Sequence, residues 1–276
     1  MTTRSWATRA LLGVVVAVIV LASVFPFFWM LLTSLKPDSR LFTKTPSFSL
    51  SHLTFSRYTH LFHGNIPTQF RNSLIVAIGT TVLTGVIALL AGYALARYRL
   101  RLRHVLMVVI LATQLLPQTI LVVPLFKVYK SAHLLNTYQG LILSHLALTV
   151  GLCTYMLRSF LVEIPVELEE AALVDGASRL RALRSIVLPL AWPGIAASSV
   201  YAFITSWNEL MFSATYMQRP AKETLPVALQ QFFSSYYTDW GGVMAASVMF
   251  TVPVVIFFLI VQKRLMQGIA VGALKG

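Results

Sequence analysis

Residues 163–189 read E-I-P-V-E-L-E-E-A-A-L-V-D-G-A-S-R-L-R-A-L-R-S-I-V-L-P, and this polar island organises an otherwise oily chain. Five of the nine acidic residues lie in it: Glu163, Glu167, Glu169, Glu170 and Asp175. Arg179, Arg181 and Arg184 follow at once. Pro165 suits the first turn of a helix, where its missing N–H costs nothing. Glu167, Glu169 and Glu170 then sit near that helix's positive end. Gly176 supplies a left-handed stop, and Ser178 can cap a second helix. In that second helix Leu180, Leu183 and Val187 recur at helical spacing, Arg181 and Arg184 share a face, and Pro189 marks the end. The reading is two short helices joined by a glycine elbow. Such a dense two-signed segment is exposed to water and suits a docking surface for another protein, or else an amphipathic helix pair lying on a membrane.

Outside the island the composition is that of a membrane. The chain has 276 residues, 57% hydrophobic and 11% charged, with a mean hydropathy of +0.75. Its charged fraction is less than half the ~25% usual in soluble domains. The net charge of +13 raises the question of nucleic acid, but the basic residues form short runs between apolar segments rather than one patch interleaved with aromatics, so no nucleic-acid partner is expected. The single cysteine, Cys153, permits neither an intrachain disulfide nor a cysteine-based metal site.

Six apolar runs are long enough to span a bilayer, at about residues 10–32, 72–96, 104–126, 139–161, 192–216 and 241–261. The first is longer than a signal-peptide core and is followed by no clear cleavage site, so it reads as a retained span. The region 33–71 is an external loop with a short surface helix near Tyr58 to Phe62. His60 and His63 could share a helix face as metal ligands, but solvated histidines are the commoner outcome and no metal is assigned. The second span carries a stripe of small residues, Thr81, Gly85, Ala88, Gly92 and Ala96, suited to close helix packing in lipid. Arg97, Arg99, Arg101 and Arg103 follow it and mark the cytoplasmic side.

In the third span Gln114 and Gln118 are one turn apart around Pro117. On one kinked helix they would share a face, either lining a cavity able to bond a solute's hydroxyls or bonding a neighbouring helix. His145 in the fourth span is a functional or a structural hydrogen-bonding histidine. Glu209 is the only acid inside a span, so it must face protein or water. With Asn208 it either lines a path or pairs with a basic residue that fixes the helix.

Glu170-Ala171-Ala172, Asp175-Gly176-Ala177 and Ile186-Val187-Leu188-Pro189 together resemble the EAA motif of binding-protein-dependent ABC importer permeases. The triplet Trp207-Asn208-Glu209 and the segment Thr224-Leu225-Pro226-Val227 also resemble that family, and the ending from Gly268 to Gly276 resembles its maltose-type, carbohydrate branch. The resemblance implies an all-α polytopic membrane protein of type I importer architecture, with six transmembrane helices, both termini cytoplasmic, and residues 1–276 forming one permease domain in a bacterial-type inner membrane. It implies that the loop 163–189 docks on a cytoplasmic ATPase through Glu170, Ala171, Ala172, Asp175, Gly176, Arg181, Arg184 and Pro189, with Glu170 meeting a basic residue there. It implies that the tail, 262–276, brings Gly272, Lys275 and Gly276 near that ATPase. The implied partners are a sister permease, two ATPase subunits and an extracytoplasmic solute-binding protein. The implied cargo is a sugar or sugar derivative, with a glycerol phosphate or glycerophosphodiester as the alternative.

The chain holds no G-x-x-x-x-G-K-[ST] phosphate loop, so ATP and magnesium are expected on the partner ATPases and no cofactor on this chain. An intramembrane enzyme would need a paired acid–base or metal set, for which the isolated Glu209 and His145 are a weak candidate.

Overall fold

A computed structural model of the chain describes residues 6–41, 53–233 and 238–273. Among these residues the architecture is helical, and the only β pairing is an isolated bridge between Phe233 and Thr238. Four helices are long and apolar enough to cross a membrane, and two bent pairs bring the number to as many as six. The described residues fall into two compact units.

One unit comprises the chain up to Ile66 together with Leu229–Val252. Its long helix α1, Trp6–Leu35, leaves nearly every side chain from Val14 to Phe28 exposed, as a lipid-facing helix does. The helix α2, Ser56–His63, falls where the sequence placed a short surface helix. It is tied to the end of α1 by Tyr58, whose hydroxyl lies 2.7 Å from Ser34 Oγ. Arg57 adds to the tie by donating to the carbonyls of Ser34 and Lys36 and to Asp38. The guanidinium of Arg57 lies where a Cβ on Gly241 would go, so a side chain there would displace Arg57 from these bonds.

The other unit comprises Pro67–Ala228 and the chain from Pro253 onward. The helices α3 (Ile66–Arg97) and α6 (Tyr138–Glu163) both overrun their apolar segments at each end. Between them come α4 (Arg103–Ala112) and α5 (Gln118–Ser131). The pair α3 and α6 packs through small residues, as the stripe suggested, but not through all of it. Ala88 is fully buried, and a Cβ on Gly92 would sit 3.1 Å from the Arg158 nitrogen. Gly85, by contrast, faces open space, and the cross-helix bond belongs to Thr84, whose hydroxyl is 2.7 Å from that of Thr149. Thr137 caps α6 by accepting from the Gly140 N–H at 3.1 Å.

The third apolar run is not one kinked helix. The segment from Arg103 to Leu115 meets α5 at 94°. Pro117 has no N–H to continue the ladder and drives Leu116 to an extended ψ of 121°, so the helix breaks rather than bends. Gln114 and Gln118 therefore lie on different segments and do not share a face.

The elbow follows as α7 (Glu167–Val174), α8 (Arg179–Ala182), a π turn (Leu183–Val187) and the one-turn α9 (Leu188–Leu190), which contains Pro189. The segment ending at Leu190 meets α10 (Trp192–Trp207) at 75°. The fifth apolar run, 192–216, is not one helix either: after a break at residues 208–210 comes α11 (Met211–Tyr216), followed by α12 (Leu225–Gln230) and α13 (Trp240–Ala273). Gly272 lies on the backbone of α13, whereas Lys275 and Gly276 lie outside the described residues.

Candidate functional site

The elbow is built around a left-handed glycine. Gly176 has φ +85°, and a Cβ there would meet nothing within 4 Å. The requirement for glycine is therefore conformational and not a matter of space. The Ala177 N–H donates to the Ala172 carbonyl at 2.9 Å and the Gly176 N–H to that of Leu173 at 3.1 Å. This 6→1 and 5→2 pair satisfies carbonyls that would otherwise end α7 unpaired. Two residues on, Ser178 Oγ accepts from the Arg181 N–H at 3.3 Å and starts α8.

The inner side of the elbow is clamped to the bundle. Leu183, Val187 and Ala191 are buried with Leu161 and Ile164, against Leu89, Tyr93 and Ala96 of α3. Burying these apolar groups is worth about 1.5–3 kcal/mol for each large side chain. Glu169 is 6% exposed, pairs with Arg97 and accepts from the Tyr93 hydroxyl at 2.7 Å. Arg97 also donates to the Ile164 carbonyl at 3.1 Å. On the second helix, Arg179 donates to the Tyr98 hydroxyl at 3.2 Å and lies 5.7 Å from that ring's centre. Arg97 at the end of α3 and Tyr98 just after it thus grip both arms of the elbow.

The outer side is free of this clamp. Glu170, Ala171, Asp175, Arg181 and Arg184 are exposed, Ala172 is half-buried, and Val174 is 87% and Leu180 65% exposed. Leu180 therefore belongs to the outer face and not, as its helical spacing suggested, to the packed one. Ser178, Leu180, Arg181 and Arg184 line a cleft of about 390 Å³ on this face. Large exposed apolar groups rimmed by charges of both signs are the composition of a protein-docking surface. The resemblance singled out Glu170 among the acids of α7 and assigned no role to Glu169. Glu169 and Glu170, adjacent in the chain, point to opposite duties: one holds the elbow and the other is presented.

A second polar cluster lies in the break between α10 and α11. His145 Nδ1 is 2.7 Å from Ser206 Oγ, and its Nε2 is 3.0 Å from Glu209 Oε2. Glu209 also accepts from the N–H groups of Phe212 at 2.7 Å and Ser213 at 3.0 Å. A carboxylate accepting from the first N–H groups of a helix is an N-terminal cap, here made from within the bundle. Of the two roles open to Glu209, the geometry shows the pairing that fixes the helix, and His145 is the partner. Asn208 beside it is exposed and donates to its own helix at the Ile204 carbonyl, 2.9 Å away. Gln114 packs over Gly151 of α6, where a Cβ would fall 2.8 Å from its Nε2, while Gln118 is exposed.

A third cluster went unnoticed in the sequence. At the start of α3, Gln69 donates to Glu223 at 2.9 Å, and Asn72 donates to the carbonyls of Ala221 and Glu223 at 3.0 and 2.8 Å. Ser73 accepts from the Leu225 N–H at 2.8 Å. Buried amides in an apolar chain are the one signal that could have revealed this latch, because such groups must find partners.

Residues 85–271 match the family described as the binding-protein-dependent transport system inner membrane component. The chain is 36% identical over 261 residues to the sulfoquinovosyl glycerol transport system permease protein of Agrobacterium fabrum, which covers 94% of this chain and 92% of that one. It is 34% identical over 274 residues to the diacetylchitobiose uptake system permease protein of Streptomyces coelicolor, with 99% of each covered. Its fold is similar to a chain of a bacterial ABC transporter involved in the import of the acidic polysaccharide alginate. There the TM-score is 0.79 at 22% identity, over 95% of this chain and 99% of that one.

Proposed function

The chain belongs to the binding-protein-dependent transport system inner membrane components, and from that premise we propose that it forms half of the path by which a sugar or sugar derivative enters the cell. It is a multi-pass inner-membrane permease subunit and not an enzyme. The carbohydrate cargo is supported by the relatives, whose names specify a sulfoquinovosyl glycerol and a diacetylchitobiose. A glycerol phosphate is a weaker reading. Lys127, Lys130 and Arg219 are compatible with an anionic substrate but do not require one.

The partners in this reading are a sister permease, two cytoplasmic ATPases that hold ATP and magnesium, and an extracytoplasmic solute-binding protein. Both termini and the elbow face the cytoplasm, in keeping with Arg97, Arg99, Arg101 and Arg103 on the same side. Coupling runs through the elbow. Closure of the ATPases displaces the outer face carrying Glu170, Arg181 and Arg184. The clamp from Arg97 to Glu169 carries that displacement into α3 and α6 without loss in a soft joint. The bundle then tilts, and a cavity between the permeases opens to the other side. Gln114, Gln118 and Asn208 are the polar side chains assigned to a sugar path, and Glu209, held by His145 and the start of α11, supports that path only by fixing the break beside Asn208. Gly272, Lys275 and Gly276 would extend the contact with the ATPase.

The observation that carries the proposal is the division of the elbow into a gripped inner face and an exposed charged and apolar outer face. The test is site-specific crosslinking from positions 170 and 181 in the assembled complex. Capture of the ATPase subunit is expected, and capture of the solute-binding protein instead would reverse the assigned orientation.

A further inference from the structure

The turn after α3 carries positive charge that the described residues leave largely unpaired. Arg97 is committed to Glu169, and Tyr98 to Arg179. Among the described residues no hydrogen bond or ion pair engages the side chains of Arg99, Arg101, Arg103 or His104; the Arg103 N–H donates to the Leu100 carbonyl at 3.1 Å. Arg99, Arg103, His104 and Leu100 line a cleft of about 230 Å³. The helix α4 begins there at Arg103, and Leu102 before it provides no side-chain cap, so the positive end of a ten-residue helix adds to the two guanidinium groups. Directly beside the charges stand exposed apolar side chains: Leu100 at 42%, Leu102 at 62% and Val105 at 55%.

We propose that this turn binds the phosphate headgroup of an anionic phospholipid, with Arg99 and Arg103 on the phosphate and Leu100, Leu102 and Val105 against the first part of the acyl chains. Paired guanidiniums recognise phosphate oxygens through several N–H donors at once. A free phosphate would use the arginines but leave the leucines in water. An amphiphile matches both halves of the site, and the turn lies between two apolar segments of an inner-membrane protein, where such lipids are at hand. The site is one turn from the Arg97–Glu169 clamp, so a bound lipid would sit at the root of the elbow.

The test is made on the complete transporter in phosphatidylcholine nanodiscs with and without phosphatidylglycerol, reading by mass spectrometry the lipid that stays with the purified complex. The wild type should retain phosphatidylglycerol over phosphatidylcholine. Each basic residue near an anionic headgroup is worth about fivefold in affinity, so Arg99→Gln with Arg103→Gln should lower retention roughly 25-fold. Arg99→Lys with Arg103→Lys should keep most of it. Lys127→Gln with Lys130→Gln, which removes the same charge elsewhere, should change nothing. Unchanged elution and unfolding temperature show that each variant is folded, and the single change His104→Gln gives a milder probe should the double variant fail. Equal retention by wild type and the double glutamine variant would overturn the site, as would an equal fall in the Lys127/Lys130 control. Displacement of the lipid by free glycerol phosphate at equal concentration would overturn the choice of a lipid. Because lipid and not transport is read, failure of the coupling proposal leaves this result interpretable.

Discussion

Replacing Gly176 isolates the backbone contribution of the elbow. The residue holds φ +85° with open space around it, so a new side chain meets no neighbour and the penalty is that of the left-handed conformation alone. For an ordinary L-residue that is about 1–2 kcal/mol, a factor of about 5–30 in the local equilibrium between the formed elbow and an opened one. Asparagine visits this region more readily than alanine, whereas a β-branched residue resists it and proline, fixed near φ −65°, cannot enter it. The expected order of elbow integrity is therefore Gly, Asn, Ala, Val, Pro. Hydrogen exchange at the Gly176 and Ala177 amides reads the opening directly, since both donate within the cap. ATP-driven uptake by the reconstituted complex reads its consequence. Gly176→Ala should raise exchange about 5- to 30-fold and reduce uptake in part, Gly176→Asn should do less, and Gly176→Pro should abolish uptake with the subunit still inserted. If alanine and asparagine are indistinguishable, or if proline leaves uptake intact, the conformational argument is wrong.

Other outcomes separate holding from presenting. Glu169→Ala leaves Arg97, 11% exposed, without its buried partner, and should lower stability by about 3–5 kcal/mol in detergent unfolding. Glu170→Ala, at an exposed position, should leave the unfolding temperature unchanged while ATPase activity loses its dependence on the permease. His145→Ala and Glu209→Gln should be non-additive, with a coupling energy of about 0.5–3 kcal/mol in a double-mutant cycle, and additivity would contradict the bond between them. Gly151→Val drives a side chain into Gln114 and the Ile110 carbonyl and should cost about 1–3 kcal/mol, part of which Gln114→Ala should restore.

What could be read from the sequence was local. The left-handed stop at Gly176 and the cap at Ser178 follow from rules that involve three or four neighbouring residues, and both stand in the structure. The presence of several helices long and apolar enough to cross a membrane followed from apolar length for the same reason, though the third and fifth runs are each broken. What could not be read was distant or a matter of degree. The motif singled out Glu170, but nothing local showed that Glu169 beside it is buried against Arg97, 72 residues away. His145 and Glu209 were each conspicuous, but nothing in the string joins positions 64 apart. Pro117 announced a disturbance without revealing whether the helix would bend or break, and the break is what separates Gln114 from Gln118. Gln69 fell at the end of the external loop and Asn72 and Ser73 at the start of the second span, and nothing local pointed to partners some 150 residues on.

The grip of Arg97 and Tyr98 on the elbow has a geometrical consequence at the opposite tip of the same rod. With 32 residues, α3 is about 48 Å long at 1.5 Å per residue. A stiff shaft of that length held firmly by its base turns each degree of rotation into about 0.8 Å of sweep at its far end. Gln69 and Asn72 sit at that end, each held by bonds of about 3 Å. If the shaft moved against the segment that carries Ala221 and Glu223, a swing of a few degrees would outrun those bonds.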